Sequence, residues 1–219
     1  ATMLVFITTD CAISPEMLKK ALSTDIKKTF NMISIDGDTS TNDMVTVLAN
    51  GMAENAEITA EGEDFKTFMK ALNTVNVYLC RRIAGDGEGA TKLIECKVTG
   101  ADTLETAKMV AKSVICSSLT KAAMFGSDAN WGRVLCAIGY SGADVNVNKI
   151  DVAFKSPKGE IAVCKNGAGI PFSEEKAKEI LLESEIEILV ELNSGEYSSC
   201  AWGCDLTYDY VKINGDYRT

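Results

Sequence analysis

Short apolar runs bounded by polar residues recur along the 219-residue chain, and they limit what it can fold into. Met3–Ile7 and Ile186–Val190 are two such runs, and none approaches the roughly 20 apolar residues of a membrane-spanning helix. With 46% hydrophobic residues, the chain is long enough to bury one large core or two modest ones. Ala1–Phe6 lacks the pattern of a secretory signal. We therefore predict a globular, cytoplasmic chain without a membrane span, or one cut from a longer precursor.

The spacing of apolar residues predicts both strands and helices. The predicted strands are Met3–Ile7, Ile33–Ile35, Leu93–Val98, Arg133–Ile138, Ile150–Phe154, Glu160–Val163, Glu187–Leu192 and Asp205–Ile213. The predicted helices run from Pro15 to Phe30, from Met44 to Ala53, from Asp64 to Ile83, from Leu104 to Ala123 and onward from Ser173. Because the pattern changes from Lys92 onward, we predict two domains, residues 1–92 and residues 93–219.

Net charge and cysteine distribution argue against several classes of protein. The formal charge is −9 without a basic block, whereas nucleic-acid binding normally uses a clustered Lys/Arg surface. The eight cysteines are scattered through apolar segments, so we predict reduced core residues rather than a disulfide scaffold. Cys200 and Cys204 lack a second pair at zinc-finger spacing, so we interpret them as small apolar residues on a strand and predict no metal site.

The sequence contains no histidine, which restricts the available chemistry. A Ser-His-Asp or Cys-His arrangement cannot be built within this chain, so any nucleophile needs another base. Thr2 is a candidate, because a threonine at a free N-terminus carries its own base, an α-amino group with a pKa of about 7.7 to 8.0. Taken alone Thr2 is a weak motif, and an ordinary threonine is the alternative.

The acidic loop Asp36–Asp43 invites comparison with calcium-binding loops. Its sixth position is Thr41 where an EF-hand has glycine, and the twelfth is Val47 where an EF-hand has glutamate. We therefore reject a calcium site and predict a turn in which Asp, Thr and Asn side chains form hydrogen bonds.

The segment Gly85–Lys92 places three glycines around Glu88. It lacks the spacing of a Walker loop, but its glycines let a ligand approach the backbone and leave the carboxylate able to bind an ammonium group. A helix-terminating turn with a solvated Glu88 is the alternative. The segment Gly126–Arg133 is also open, either as a functional loop or as a turn closed by a packed Trp131.

Five segments, taken together, resemble one protein family. They are Ala1–Leu4, Asp36–Asp43, Gly85–Lys92, Gly126–Arg133 and Ala201–Val211. In this order and spacing they resemble the C-terminal (β) subunit of the ornithine acetyltransferase family, also called the glutamate N-acetyltransferase family. The resemblance covers essentially the whole chain, and it favours Thr2 as a nucleophile.

The resemblance implies an α/β fold of layered sheets and helices. The expected architecture is a self-processing αββα sandwich of the N-terminal-nucleophile kind, shared with an α subunit and followed by a smaller C-terminal α+β domain. The last strand would bring Asn214 and Thr219 back to the active site. In the family, the α subunit supplies an oxyanion-stabilising region and a substrate-binding lysine.

The resemblance also implies an activity. A precursor cuts itself between Ala1 and Thr2, and Thr2 then takes acetyl from N-acetylornithine and passes it to glutamate in a ping-pong cycle. Acetyl-CoA is an optional second donor, and no cofactor is expected. The family's substrate-binding positions correspond to Thr2, Glu88, Asn214 and Thr219. Glu88 suits the ammonium of ornithine, and Asn214 and the Thr219 hydroxyl suit a carboxylate. An α2β2 or larger assembly with the α subunit is expected.

Two alternatives remain open on the same residues. An aminopeptidase or amidase on the same scaffold would use water instead of glutamate as the acyl acceptor. A non-catalytic assembly subunit would leave Thr2 inert and use its loops only to bind a partner chain. Dependence of turnover on the acceptor separates the hydrolase from the acetyltransferase.

Overall fold

The structure is a computed structural model that describes residues 2–217. Its strands are β1 (Leu4–Thr9), β2 (Ile33–Ser34), β3 (Met44–Ala49), β4 (Leu93–Ala101), β5 (Asp151–Ser156), β6 (Gly159–Lys165), β7 (Ala168–Gly169), β8 (Glu185–Glu191) and β9 (Tyr197–Cys204). Its α-helices are α1 (Pro15–Asp25), α2 (Glu63–Gly85), α3 (Leu104–Cys116), α4 (Ser118–Phe125), α5 (Trp131–Gly139), α6 (Glu174–Leu181) and α7 (Tyr208–Asp216). Short 3₁₀ turns cover Ile26–Lys28, Phe30–Met32 and Val147–Lys149. Among residues 2–217, none of the helices combines the length and the apolar character that crossing a membrane requires.

The described residues form two compact units. The first unit contains the residues up to Asn31 together with Asp38–Leu79, and the second contains Met32–Gly37 together with the residues from Cys80 onward. The division into domains at residue 92 remains a prediction. The expected mixed α/β architecture is confirmed, since both units combine strands with helices.

The first unit contains a parallel two-stranded sheet of β1 and β3, in register from Leu4 opposite Met44 to Thr9 opposite Ala49. Its α1 begins as the sequence predicts, because the Ser14 side chain accepts a hydrogen bond from the Met17 N–H and Pro15 occupies the first turn. The buried apolar residues of this unit include Val5, Ile7, Met17, Ala21, Phe65 and Leu72.

A fully buried carboxylate, that of Asp25, lies at the end of α1. The Asn73 and Asn76 side-chain amides on α2 donate to its two oxygens at 2.8 and 2.7 Å. These hydrogen bonds offset the cost of burying the charge and fix α1 against α2. The predicted helix to Phe30 is therefore too long, because α1 ends at Asp25 and the chain continues in 3₁₀ turns.

The predicted helix over Met44–Ala53 is wrong, because Met44–Ala49 forms strand β3. Its apolar residues fit a helical period, but Val45, Thr46 and Val47 are β-branched and favour an extended backbone. Hydrogen bonding with β1 then stabilises the strand over a helix.

The second unit is built on a mixed seven-stranded sheet with the order β2-β9-β4-β8-β5-β6-β7. Strand β4 runs parallel to β8 and antiparallel to β9. One face of the sheet is apolar, and it includes the fully buried residues Ile94, Cys96, Val98, Ile186, Ile188, Val152 and Phe154. Helix α3 packs against β4 and β9, and α6 packs against β5 and β6, which closes this face into a core.

Strand β9 lies between β2 and β4 in this sheet, yet the sequence predicts only that Cys200 and Cys204 are on a strand. All four residues Ala201–Cys204 are buried, so the strand lacks the alternation by which a half-exposed strand is identified. Gly203 allows a close approach, because a Cβ there would lie 2.8 Å from the Ser34 carbonyl oxygen.

Two predicted elements between residues 104 and 138 need correction. The helix predicted over Leu104–Ala123 is two helices, because Ser117 has an extended backbone, ends α3 and caps α4 with its side chain. The strand predicted over Arg133–Ile138 is part of helix α5. The Asn130 side chain caps this helix, and Val134 and Ile138, one helical turn apart, are buried together.

The strand predicted over Asp205–Ile213 is also wrong, because helix α7 begins at Tyr208. The Thr207 side chain accepts a hydrogen bond from the Tyr210 N–H at 3.1 Å and thereby starts the helix. Asn214 is therefore carried by a helix rather than by a returning strand.

Candidate functional site

Thr2, the predicted nucleophile, lies exposed directly before β1 in the first unit. Its hydroxyl donates a hydrogen bond to Asn42 Oδ1 at 2.9 Å, and that oxygen also accepts from the Ser40 hydroxyl at 3.0 Å. The following residue, Met3, donates its N–H to Asp43 Oδ1 at 2.9 Å. The end of the loop predicted as a hydrogen-bonded turn therefore holds Thr2 and Met3 in place.

The contact with Asn42 has a limited chemical role. An amide oxygen orients the proton of a threonine hydroxyl, but it is too weak a base to remove that proton. Activation of the Thr2 hydroxyl therefore requires a further group, as the absence of histidine already indicates.

One face of the β1–β3 sheet is apolar and open. Leu4, Phe6, Met44 and Leu48 are 58, 64, 40 and 56% exposed, whereas Val5, next to them on β1, is buried. Leu4 and Met44 are register partners and the other two share their face, so the four side chains lie on one side of the sheet. A two-stranded sheet is marginally stable by itself, and an exposed apolar patch of this kind typically marks an association surface.

Glu88, the second predicted site residue, lies in a turn of the second unit directly after α2. The turn is closed by a hydrogen bond of 2.9 Å from the Ala90 N–H to the Gly87 carbonyl. Gly87 and Gly89, which flank Glu88, are both close to neighbouring atoms that leave no room for a side chain. A Cβ on Gly87 would lie 2.9 Å from Cys204 Sγ, and Gly89 combines a φ of +67° with backbone packed against it.

Asn214 and Glu88, two of the predicted substrate-binding residues, lie side by side. The Asn214 Nδ2 group donates to Glu88 Oε2 at 2.8 Å and to the Tyr210 carbonyl at 3.1 Å. Glu88 is half-buried rather than fully solvated. The carboxylate suits a ligand ammonium group, whereas a ligand carboxylate must replace one of the two acceptors that the Asn214 Nδ2 group already has.

Three residues that the sequence analysis missed support this pair. Asp205 is buried and accepts hydrogen bonds from the Thr91 N–H at 2.8 Å, the Lys92 N–H at 3.0 Å and the Thr91 hydroxyl. Thr207 donates its hydroxyl to the Gly89 carbonyl at 2.7 Å.

The third supporting residue is Tyr210, whose hydroxyl donates to Asp36 Oδ2 at 3.0 Å. A signal for the whole arrangement was present in the sequence, since Thr207 followed by Asp209 is typical of a capped helix start.

Lys92 has a structural environment. Its buried ammonium donates to the carbonyls of Met124 and Leu181 and to the Ser127 hydroxyl at 2.7 to 2.8 Å. Burial lowers the pKa of Lys92, and the nearby Asp205 carboxylate opposes that shift. Because these carbonyls belong to the ends of α4 and α6, the charge lies where the helix dipoles attract it.

The sequence leaves two interpretations of the Gly126–Arg133 segment, a functional loop or a packed turn. Several of its residues make structural contacts. Ser127 bonds to Lys92, Asn130 caps α5, and Trp131 packs against Gly169, where a Cβ would meet its ring. These contacts favour the turn closed by a packed Trp131.

All eight cysteines are free. The predicted core position holds for the four buried ones, Cys80, Cys96, Cys164 and Cys204. It is wrong for Cys136, which is exposed although its helix buries the opposite face. Within residues 2–217, no group of three or more His, Cys, Asp or Glu side chains is arranged to hold a metal ion. The two remaining predicted positions, Ala1 and Thr219, lie outside the described residues.

Comparisons with known proteins place the chain among its relatives. The sequence matches the ArgJ family over residues 1–219. It is 54% identical, over 219 residues, to the arginine biosynthesis bifunctional proteins ArgJ 1 of Clostridium acetobutylicum and ArgJ of Caldanaerobacter subterraneus subsp. tengcongensis. All of this chain aligns with 54% of each of these proteins, so it spans about half the length of the curated relatives it matches.

A solved structure is similar as well. The crystal structure of arginine biosynthesis bifunctional protein ArgJ from Bacillus halodurans is 51% identical, with a TM-score of 0.93 over 98% of this chain and 100% of that chain. The family resemblance indicated by the five sequence segments is therefore confirmed.

Proposed function

Because this chain belongs to the ArgJ family, we propose that it is the nucleophile-bearing β subunit of a glutamate N-acetyltransferase in arginine biosynthesis. The observation that carries this proposal is the 54% identity, along the entire chain, to proteins named arginine biosynthesis bifunctional protein. The word bifunctional in those names supports a second activity, in which acetyl-CoA donates acetyl to glutamate. The cytoplasm is the proposed location.

The proposed partner is an α subunit cut from the same precursor. The open apolar face around Leu4 and Phe6 supports such a partner, because covering one large apolar side chain stabilises an assembly by about 1.5 to 3 kcal/mol. The chain also spans only about half of its relatives, which leaves room for a second subunit of similar size. The proposed assembly is α2β2 or larger, with a sandwich of sheets shared between the subunits.

The proposed cleavage uses the exposed Thr2 hydroxyl. Its oxygen attacks the carbonyl carbon of Ala1, the peptide C–N bond breaks, and the acyl group moves from nitrogen to oxygen. Water then hydrolyses the ester, which leaves a carboxylate on Ala1 and a free α-amino group on Thr2. The hydrogen bond to Asn42 supports this role, because it holds the hydroxyl in a defined orientation.

The acetyl transfer uses the group that cleavage frees. The Thr2 α-amino group accepts the hydroxyl proton while the oxygen attacks the acetyl carbon of N-acetylornithine, since α-amino groups ordinarily have a pKa of about 7.7 to 8.0. The amide C–N bond breaks, the proton passes to the departing amine, and ornithine leaves. The amine of glutamate then attacks acetyl-Thr2, which gives N-acetylglutamate and restores the hydroxyl.

Substrate binding is proposed for Glu88 and Asn214, joined by Thr219. The carboxylate of Glu88 suits the ammonium of the ornithine moiety. The Asn214 amide binds a substrate carboxylate by exchanging one of the hydrogen bonds that its Nδ2 group makes to Glu88 and to the Tyr210 carbonyl. The direct contact of Asn214 with Glu88, at 2.8 Å, supports a common site. The oxyanion-stabilising donors are proposed to come from the α subunit.

A kinetic assay tests the proposal. The complete precursor is expressed, and N-acetylglutamate formation is measured while N-acetylornithine and glutamate are varied. Parallel double-reciprocal lines are expected, since the acyl-enzyme forms before glutamate reacts. Acetate release at the same rate without glutamate would instead indicate an amidase. Absence of any turnover, with intact assembly, would indicate a non-catalytic subunit.

A further inference from the structure

Helix α7, which carries Asn214, makes one aromatic contact, the edge-to-face pair of Tyr208 with Phe125 at 5.6 Å, and its other side-chain contacts are mainly polar. All nine of its residues are exposed or half-buried, and its apolar side chains Val211 and Ile213 are 64 and 45% exposed. Most helices of a globular protein are stabilised by burying an apolar face. The position of α7 therefore depends on hydrogen bonds to an unusual degree.

One of those hydrogen bonds joins the helix to the turn that carries Glu88. The Thr207 hydroxyl accepts from the Tyr210 N–H at 3.1 Å, which caps α7, and donates to the Gly89 carbonyl at 2.7 Å. Thr207 is only 5% exposed, so water competes little for these bonds. A single hydroxyl thus connects the residue next to Glu88 with the start of the helix that presents Asn214.

The backbone packing at this junction leaves little freedom. A Cβ on Gly89 would lie 2.6 Å from the Tyr210 nitrogen and 2.8 Å from the Asp209 carbonyl carbon. The turn and the first turn of α7 therefore touch through their main chains, and the Thr207 hydroxyl fixes the register of that contact. Displacing α7 there moves Asn214 relative to Glu88, because Asn214 lies on the same helix.

We propose that Thr207 is a positioning residue whose hydroxyl sets the separation of Glu88 and Asn214 and so determines the affinity for the amino-acid part of the substrate. The inference rests on the proposed function of these two residues in substrate binding. It adds a residue that touches no substrate itself. Because the chemistry belongs to Thr2, loss of the hydroxyl weakens binding of the ground and transition states alike, and it raises KM with kcat nearly unchanged.

Three variants of Thr207 in the complete complex separate its two hydrogen bonds. Thr207→Ser keeps both. Thr207→Asp keeps the helix cap but has no proton to donate to the Gly89 carbonyl and buries a charge, whereas Thr207→Val loses both hydrogen bonds without adding a charge. The KM for N-acetylornithine is expected to rise about tenfold in Thr207→Asp and Thr207→Val, the factor typical of a lost hydrogen bond, and to change less than about twofold in Thr207→Ser. If Thr207 acts only as a cap, Thr207→Asp retains the original KM, which overturns the inference.

Two controls make the result specific. Thr103 caps α3 by accepting a hydrogen bond from the Thr106 N–H, so Thr103→Val removes a helix cap without touching the Glu88 turn. It is expected to lower the melting temperature and to leave KM unchanged. In a Glu88→Ala background, Thr207→Val is expected to raise KM by less than about twofold, because the residue that it positions is gone.

The outcomes distinguish this inference from the proposed function. If the unmodified complex transfers no acetyl group, the proposed function fails and the inference fails with it. If the unmodified complex is active and Thr207→Asp keeps its KM, only the inference fails. Should Thr207→Val not fold, the comparison of Thr207→Asp with Thr207→Ser still decides, since both retain the cap.

Discussion

The two sheets of this chain treat their apolar faces differently. In the seven-stranded sheet, Ile94, Phe154 and Ile188 are at most 1% exposed, because helices of the same chain cover them. In the β1–β3 pair, Leu4 and Phe6 are more than half exposed. A chain that covers one apolar face completely and leaves another open is typical of a subunit whose second sheet is completed by a partner. The open sheet is also the one that Thr2 precedes.

The largest expected effect concerns this open region and its chemistry. Thr2→Ala in the complete precursor should abolish self-cleavage and reduce acetyl transfer on the order of 10⁴-fold or more, because the nucleophile is lost. Thr2→Ser, which keeps a hydroxyl, is the matched control and should still cleave. Gel analysis and an acetyl-transfer assay check both variants. A normally cleaved and active Thr2→Ala protein would contradict the assignment of chemistry to this region.

The next largest effect concerns the seven-stranded sheet. Ile188→Ala removes a fully buried side chain from the centre of the core and should lower the free energy of unfolding by about 2 to 5 kcal/mol. Leu4→Ala, on the open face, should change it by less than about 0.5 kcal/mol in the chain alone. Urea denaturation measures both. Equal costs for the two variants would remove the distinction between the sheets.

A third prediction sharpens the meaning of the open face. Phe6→Asp places a charge on that face and should weaken association with the partner subunit about 100-fold, because burial of one aromatic side chain is lost and a charge must be desolvated. Leu182→Asp is the matched control, since Leu182 is 63% exposed and Phe6 is 64% exposed. Analytical ultracentrifugation compares them. Equal weakening by both substitutions would show that the β1–β3 face is not special.

The smallest expected effect is electrostatic and concerns Glu187 on β8 of the seven-stranded sheet. Glu187 pairs with Lys97 at 2.7 Å and with Lys155 at 3.7 Å. Partial burial acts to raise the pKa of Glu187, but the hydrogen bond and charge of Lys97 outweigh it, so this pKa lies below its ordinary value of 4.5. A carboxylate with a lowered pKa adds stability above its unfolded pKa and loses that contribution as the pH falls through its folded pKa.

Glu187→Gln should therefore cost about 1 kcal/mol at pH 7, and the difference from the unmodified protein should shrink once the pH falls below 4.5. Urea denaturation at several pH values measures this difference. A cost that stays constant down to pH 3 would show that packing, rather than charge, accounts for the role of Glu187.

The sequence predicts the elements whose one-sided burial produces a clear period. The stripe of Phe65 and Leu72 identifies α2, and the runs at Leu93 and Ile186 identify β4 and β8. Prediction from the sequence fails where tertiary contacts determine the secondary structure. The second half of strand β9, residues 201–204, has no alternation because both of its faces are buried.

Helix α7 is mispredicted for the opposite reason. Its apolar residues alternate as in a strand, but the Thr207 cap and polar contacts make the segment a helix. The candidate site was found by resemblance rather than by pattern. The sequence predicts that a strand carries Asn214 to the site, whereas a helix carries it. The contact with Glu88 still forms because this helix starts beside the Gly89 turn. Asn42 was missed as the partner of Thr2, since a hydrogen bond across 40 residues leaves no local signal.

The most direct test of the proposed function is intact-protein mass spectrometry of the processed complex after incubation with N-acetylornithine and without glutamate. The account predicts cleavage before Thr2 and a gain of about 42 Da, one acetyl group, on this subunit, which peptide mapping assigns to Thr2 and which disappears when glutamate is added. A processed subunit that never carries acetyl, while N-acetylglutamate still forms, would contradict the covalent threonine mechanism.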